Sequence, residues 1–222
     1  YEDKSLLRFL RDDLKIKSVK DGCSQGACGT CTVIIDGVNE RSCVKRISKL
    51  TNSKIITIEG LSNEQKDAFT YAFENVGAVQ CGFCTPGMVM SGAALLMKNP
   101  NPSDDEIKEA IKHNICRCTG YVKIVEAIKL AAKILNKEQK IEKKDEDIEK
   151  VGSRMVRIDV HDKILGQGEY VDDMEVENLK YASAIRSKYP RARVVKIDFE
   201  DALKLEGVIG ILTAKDLSLI HI

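Results

Sequence analysis

All eight cysteines of this 222-residue chain fall into two blocks of four. The first block has the pattern C-x4-C-x2-C with one later cysteine, and its members are Cys23, Cys28, Cys31 and Cys43. The second block has two close pairs, C-x2-C and C-x-C, and its members are Cys81, Cys84, Cys116 and Cys118. Disulfide frameworks belong to short secreted domains, whereas close cysteine pairs among Lys-rich helical segments are typical of metal sites. The pattern therefore predicts two metal centres in a reduced, cytoplasmic protein.

The first block predicts a [2Fe–2S] cluster. Its spacing, on a loop that also holds Gly22, Gly26 and Gly29, is that of plant-type ferredoxins. The glycines permit positive φ angles, so that backbone N–H groups can reach the sulfurs and help to set the reduction potential. The alternative is a four-thiolate zinc site. Zinc sites usually pair their cysteines two and two, whereas this block has three in one loop, which favours the cluster.

Each pair of the second block precedes a predicted helix. Cys81 and Cys84 come before Thr85 and Pro86, and proline is favoured at the first position of a helix. Cys116 and Cys118 come before a helix that is predicted to begin near Tyr121. Helix N-termini stabilise negative charge, and a cluster held by four thiolates is anionic. We therefore expect a second [2Fe–2S] cluster here. These spacings alone would also suit zinc, but the neighbouring ferredoxin-type loop favours iron–sulfur.

The first sixty residues predict a small α+β domain. Leu6, Leu7, Leu10 and Leu14 recur at helical spacing, which predicts an amphipathic helix over residues 5–14. A β-branched run closed by Asp36-Gly37 predicts a hairpin. The predicted strands are residues 32–36, 41–44 and 54–58.

Residues 61–136 predict a four-helix bundle. Two capping boxes, Ser62 with Gln65 and Ser103 with Glu106, indicate where helices begin. The predicted helices are residues 62–75, 85–97, 103–114 and 121–135.

The remainder of the chain changes character twice. Residues 137–150 hold eleven charged side chains of fourteen, which predicts a linker rather than a continued helix. Residues 151–216 predict the start of a further, β-rich domain. Its predicted strands are residues 155–160, 182–186, 193–197 and 208–213. Residues 217–222 depart from this pattern, and we interpret them as a non-native tail; because the chain begins with Tyr, we expect its native start to lie upstream.

Composition argues against two classes of partner. Lys and Arg together number 35 and Asp and Glu 34, so no strong field attracts nucleic acid or an anionic membrane. The chain has no Trp, which argues against a surface that stacks on single-stranded nucleic acid. None of its apolar runs is long enough to cross a bilayer. We therefore expect neither a nucleic-acid nor a membrane partner.

Three motifs resemble the molybdenum hydroxylases, the family of xanthine dehydrogenase and aldehyde oxidoreductase. They are Gly-Cys-Ser-Gln-Gly-Ala-Cys-Gly-Thr-Cys at residues 22–31, Gln-Cys-Gly-Phe-Cys-Thr-Pro-Gly at 80–87 and Ile-Cys-Arg-Cys-Thr-Gly-Tyr at 115–121. Residues 151–216 are similar to the start of that family's molybdenum subunit. The resemblance implies a β-grasp ferredoxin domain that lacks its first hairpin, a [2Fe–2S]-binding four-helix bundle and a truncated α/β hammerhead domain, in that order.

The resemblance also implies roles. The bundle cluster would take electrons from molybdopterin-bound molybdenum, with Gln80 hydrogen-bonded to the pterin and Cys118 against its amino group. The ferredoxin-type cluster would pass electrons to FAD or another acceptor. Because no flavin domain separates the bundle from residues 151–216, FAD would sit on a separate subunit of an oligomeric complex. This arrangement is most similar to the bacterial selenium-dependent xanthine dehydrogenases and implies a place in purine catabolism.

The molybdenum active site would lie beyond this chain, in the remainder of the molybdenum subunit, so no catalytic residue is assigned here. The alternative is a stand-alone iron–sulfur electron-transfer subunit of an aldehyde or carbon monoxide dehydrogenase-type complex. The similarity of residues 151–216 to the molybdenum subunit argues against that alternative.

Overall fold

The computed structural model describes residues 3–142, residue 151 and residues 155–217. The chain divides into two compact units, Tyr1–Met174 and Glu175–Ile222. Of the predicted linker, residues 143–150 lie outside the described residues, and residues 137–142 contain no helix. The predicted tail is likewise outside them from residue 218 onward.

A three-stranded antiparallel sheet follows the first cysteine loop. Its strands are β1 (Thr32–Ile35), β2 (Val38–Arg41) and β3 (Ile55–Ile56), in the order β2-β1-β3. The hairpin at Asp36-Gly37 is confirmed, and both residues have positive φ angles of 49° and 81°, as a two-residue hairpin turn favours. The prediction of a strand at residues 41–44 was wrong. The tight turn pairs Ile35 directly with Val38, so the strand begins at once and ends in a 3-10 turn, Ser42–Val44.

The N-terminal helix begins as α1 (Leu6–Arg8) and continues as a π-helix over Phe9–Asp13. Leu6, Leu7 and Leu10 are buried against the sheet in a small core, as predicted. Leu14 is 51% exposed, which contradicts the predicted stripe. The wider π-turn rotates Leu14 away from the face on which an unbroken α-helix would place it.

Four helices form the middle of the chain: α2 (Asn63–Val76), α3 (Thr85–Leu96), α4 (Asp104–Ile111) and α5 (Val122–Leu135). Both predicted capping boxes are present. Helix α3 is buried on almost all sides and packs against β1 and the other helices. A side chain at Gly92 would lie within 3.1 Å of Phe69 and 3.2 Å of Ile128, so glycine allows this close packing. The sheet and the bundle therefore share the central helix α3.

After the predicted linker the chain packs on the bundle again. A short helix, α6 (Val160–Ile164), buries Val160 and Ile164 in the same core as α2 to α5. The strand predicted at residues 155–160 was therefore wrong. Residues 155–159 form no strand or helix, and Val160 begins α6, in which it and Ile164 bury an i, i+4 helical face. A 3-10 turn at Val171–Asp173 ends the first compact unit.

Residues 175–217 contain one short helix, α7 (Glu200–Leu203), and no strand. The predicted strands at 182–186, 193–197 and 208–213 are therefore contradicted. A strand needs a paired neighbour and a buried face, but Ile185 is 98% exposed and Val195 is 91% exposed. None of the helices in the described parts of the chain is long and apolar enough to cross a membrane.

Candidate metal centres

The four cysteines of the first block surround one loop. Cys31 directly precedes β1, and Cys43 lies in the 3-10 turn that follows β2. The Cys31 carbonyl accepts hydrogen bonds from the Ser42 backbone N–H at 3.2 Å and the Ser42 hydroxyl at 2.9 Å. The hairpin therefore holds these two cysteines side by side although they are distant in the sequence.

Backbone N–H groups of the glycine-rich loop point at the sulfurs. Gly26, with a φ of 74°, donates its N–H to the Cys43 Sγ at 3.2 Å, and the Gln25 N–H lies 3.4 Å from the Cys23 Sγ. The Thr30 hydroxyl is 3.2 Å from the Cys28 Sγ. The Gly26 and Gln25 contacts agree with the expectation that backbone N–H groups of this loop reach the sulfurs.

The thiols of this block perturb one another. Burial and contact with Cys31 raise the pKa of Cys43 to about 12. Burial opposes ionisation of Cys23 too, but hydrogen bonds from the backbone of Gln25, Cys28 and Ala27 lower its pKa to about 7. The backbone of the loop therefore favours the ionised form of Cys23, whereas burial in the turn after β2 disfavours that of Cys43.

The second block divides into an outer and an inner pair of thiols. The Sγ atoms of Cys81 and Cys118 lie 3.6 Å apart, and both residues are exposed. Cys84 and Cys116 form the inner pair, with Cys116 buried. Burial, followed by the neighbouring Cys116, raises the pKa of Cys84. As predicted, each pair precedes a helix, since Cys84 is the N-cap of α3 and α5 begins at Val122.

The two residues that the resemblance implies for pterin binding lie together. The Gln80 side-chain amide donates to the Cys118 carbonyl at 3.0 Å, and both residues are exposed. Sequence reasoning missed Tyr121, whose hydroxyl accepts the Cys116 N–H at 2.9 Å. It also missed Thr119, whose hydroxyl donates to the Cys116 Sγ at 3.2 Å. Both lie within the third motif, so their position beside the cysteines was the available signal.

A direct hydrogen bond connects the two blocks. The Ile115 N–H donates to the Cys28 carbonyl at 2.8 Å, which places Cys116 one residue away from a bond to the first block. The buried Asn114 side chain donates to the Gly29 carbonyl at 2.8 Å and accepts the Ser91 hydroxyl at 2.7 Å. Sequence reasoning missed Asn114, and nothing in its local pattern marks it.

The donor chemistry of both blocks suits a [2Fe–2S] cluster. Among residues 3–142, 151 and 155–217, no three His, Cys, Asp or Glu side chains converge so as to hold one metal ion. The thiols instead approach in pairs, Cys81 with Cys118 and Cys84 with Cys116. Each iron of such a cluster takes two cysteine thiolates, with N–H groups directed at the sulfurs. Paired thiols with donors beside them fit that requirement.

Comparison with protein families gives three matches. Residues 6–67 match the 2Fe-2S iron-sulfur cluster binding domain, and residues 57–129 match the [2Fe-2S] binding domain. Residues 165–221 match the a/b hammerhead domain of aldehyde oxidase and xanthine dehydrogenase.

Individual relatives agree with these matches. The small FeS subunit of nicotinate dehydrogenase from Eubacterium barkeri is 48% identical over 130 residues, which are 58% of this chain and 83% of that subunit. Aldehyde oxidoreductase from Megalodesulfovibrio gigas is 35% identical over an alignment of 218 positions, which covers 93% of this chain but 24% of that protein. The crystal structure of aldehyde oxidoreductase from Desulfovibrio desulfuricans superposes with a TM-score of 0.72 at 38% identity, over 78% of this chain and 20% of that one. The chain therefore belongs to the molybdenum hydroxylase family of oxidoreductases, whose iron–sulfur portion it carries.

Proposed function

We propose that this chain conducts electrons from a molybdopterin centre to an external acceptor through two [2Fe–2S] clusters. Cys23, Cys28, Cys31 and Cys43 would hold the outer, ferredoxin-type cluster. Cys81, Cys84, Cys116 and Cys118 would hold the bundle cluster. When bound, the clusters supply one-electron redox chemistry, and the protein supplies their position and surroundings.

The hydrogen bond from Ile115 to Cys28 carries the proposal. The rate of electron transfer falls steeply with distance, and it is higher along covalent and hydrogen bonds than through empty space. Between Cys116 and Cys28 the chain offers an unbroken route through the Ile115 backbone and one hydrogen bond of 2.8 Å. A protein with two unrelated structural metal sites would not require this connection.

Each block has an exposed surface, to which we assign one end of the electron path. The bundle block presents Gln80, Cys81 and Cys118 on an exposed edge, which we propose as the contact for the molybdopterin, with Gln80 and Cys118 as its binding residues. The first block exposes Ser24, Gln25 and Ala27 on its loop. We propose that this loop faces the acceptor, which would be FAD on a separate subunit.

For the complete enzyme, we propose hydroxylation of a nitrogen heterocycle in the manner of the selenium-dependent xanthine dehydrogenases. The nicotinate dehydrogenase relative supports a heterocyclic substrate, since nicotinate is one. An aldehyde is the second candidate, because the aldehyde oxidoreductase alignment runs through 93% of this chain. The hammerhead match at residues 165–221 supports a chain that continues into the molybdenum subunit rather than a stand-alone electron carrier.

Metal analysis and spectroscopy test the proposal. Anaerobically prepared protein should contain about four irons and about four acid-labile sulfides per chain, as two [2Fe–2S] clusters require. After reduction it should show two distinguishable paramagnetic signals. Colourless protein with zinc bound to the thiols would overturn the proposal.

A further inference from the structure

The segment from Arg157 to Asp173, which we name the clamp segment, packs on the iron–sulfur half of the chain. Its helix α6 is anchored in the bundle core through Ile164, which is fully buried. From there it runs to the 3-10 turn at Val171–Asp173. Residues 165–173 fall within the hammerhead match, yet within them Tyr170 contacts Cys81 and Asp173 contacts Lys20.

The clamp segment contacts the loop at residues 80–84, which carries Cys81 of the outer thiol pair. The Tyr170 hydroxyl donates to the Cys81 carbonyl at 2.8 Å, and the Arg157 guanidinium donates to the Gln80 carbonyl at 2.5 Å. The Tyr170 ring also packs edge-on against the Phe83 ring, with centroids 5.1 Å apart. Gln80, Cys81 and Phe83 of this loop are therefore each in contact with a side chain of the clamp segment.

Gly82 makes this close approach possible. Its φ is 84°, and a Cβ there would lie 2.7 Å from the Cβ of Lys163. Both the backbone conformation and the available space therefore require glycine at this position. The loop and the clamp segment are fitted to each other.

A buried carboxylate anchors the end of the clamp segment. The Asp173 side chain is 2% exposed and pairs with Lys20 at 2.9 Å and Arg11 at 2.7 Å. The Lys20 side chain is itself 1% exposed and lies over the Tyr170 ring, 4.8 Å from its centroid. Removing one partner of a buried ion pair leaves an uncompensated charge and is strongly destabilising. Lys20 therefore contacts both Asp173 and the Tyr170 ring. The ion pair with Asp173 holds the Lys20 ammonium group in place, and that group in turn fixes the ring.

The anchor reaches the first cysteine block as well. The Lys20 carbonyl accepts a hydrogen bond from the Thr30 hydroxyl at 3.2 Å, and that hydroxyl lies 3.2 Å from the Cys28 Sγ. Gly166 lies so close to Ser18 that a Cβ would come within 2.7 Å of its Cα. The clamp segment thus contacts the surroundings of both cysteine blocks.

We propose that the clamp segment is a built-in docking element that fixes the Gln80–Cys84 loop, with Asp173 as its anchor and Tyr170 as its positioning residue. The redox part of this inference rests on the proposed function, because it assumes that Cys81 holds a cluster. Hydrogen bonding and solvent exposure around the ligands set a cluster's potential. The Tyr170 hydroxyl directs a positive hydrogen toward the Cys81 backbone and thereby favours the reduced form.

Hydrogen–deuterium exchange on the full chain tests the anchor. In Asp173→Asn, peptides that cover residues 79–86 should exchange at least about tenfold faster, since the loop opens locally once the clamp segment is released. The matched control is Asp172→Asn, because Asp172 is the exposed neighbour on the same turn. Equal exchange in the two variants would overturn the docking role.

A second variant separates positioning from folding. Tyr170→Phe keeps the ring and removes the hydroxyl, so the bundle-cluster potential should become more negative while the ferredoxin-type cluster stays unchanged. The control is Tyr181→Phe, since Tyr181 is 94% exposed. An unchanged bundle potential in protein that contains both clusters would overturn the positioning role alone. Absence of iron from the unmodified chain would instead overturn the proposed function, and the exchange comparison would still decide the anchor.

Discussion

Replacing Asn114 by alanine tests whether one buried side chain joins the two cysteine blocks. Asn114 is 3% exposed. Its amide donates to the Gly29 carbonyl at 2.8 Å and the Thr32 hydroxyl at 3.1 Å, and its carbonyl accepts the Ser91 hydroxyl at 2.7 Å. It therefore connects the first cysteine loop, strand β1 and helix α3.

The size of the expected loss in the free energy of unfolding depends on which groups lose a hydrogen-bond partner. The Gly29 carbonyl keeps a hydrogen bond from the Thr32 hydroxyl at 2.7 Å, so it is not left without a hydrogen-bond donor. The Ser91 hydroxyl is fully buried and loses the acceptor that it has in the native protein. A buried polar group without a partner costs about 1–3 kcal/mol, and the small cavity adds to this. We expect Asn114→Ala to lower the free energy of unfolding by about 2–4 kcal/mol.

Urea denaturation followed by circular dichroism measures this change. Asn63→Ala serves as the control, because Asn63 is exposed at the start of α2 and should change stability by less than about 0.5 kcal/mol. In the double variant Asn114→Ala with Ser91→Ala, the total loss should be smaller than the sum of the single losses by about 1 kcal/mol. A single-variant loss no greater than that of the control, or strict additivity, would show that Asn114 does not join the two blocks.

Three further predictions concern the cysteine loops and the anchor. Cys84→Ser should abolish the bundle-cluster signal in paramagnetic resonance while leaving the ferredoxin-type signal, and joint loss of both signals would contradict two separate sites. Gly82→Ala should lower the free energy of unfolding by about 1–3 kcal/mol, because alanine is strained at that φ and overlaps Lys163. Thermal denaturation measures this loss. The control is Gly37→Ala, which also has a positive φ but where a Cβ meets nothing within 4 Å, so that comparison separates the overlap from the backbone strain. Although burial alone would raise it, hydrogen bonds from Arg11 and Lys20 hold the pKa of Asp173 below its usual value. The stability that the ionised Asp173 contributes is therefore present above about pH 4 and is lost as the pH falls below that value. When the free energy of unfolding is measured across this pH range, Asp173→Asn should lack this loss.

Local signals predicted the iron–sulfur half of the fold well. The capping boxes at Ser62 and Ser103 begin α2 and α4, and Asp36-Gly37 forms the predicted hairpin turn. These features are decided within four or five residues, where side chains hydrogen-bond their own backbone. Local patterns gave wrong predictions where packing between distant segments determines the secondary structure. The apolar alternation after Tyr181 predicts strands, but strands need partners that a local pattern cannot supply.

The candidate centres show the same division between ligands and their surroundings. A metal ligand must be a particular residue type at a particular spacing, so the sequence alone was enough to propose the eight cysteines as ligands. The groups that join the two blocks are the Cys28 carbonyl and the Ile115 N–H, and every residue except proline carries such groups. Their meeting depends on how β1 packs on α3, as the close approach of Gly87 to the Gly29 carbonyl, 2.7 Å for a Cβ, indicates.

The anchor at Asp173 extends this argument to side chains. Asp173 and Lys20 are separated by 153 positions, and each alone resembles an ordinary surface charge in a chain with 35 cationic and 34 acidic residues. Burial distinguishes them, since ionised groups are almost never fully buried unless they are paired. A buried pair contributes little net stability compared with apolar packing, but it is satisfied in only one arrangement. That property suits an element that must hold the Cys81 loop in one position, so the residues that fix the proposed electron path are those that local sequence patterns do not reveal.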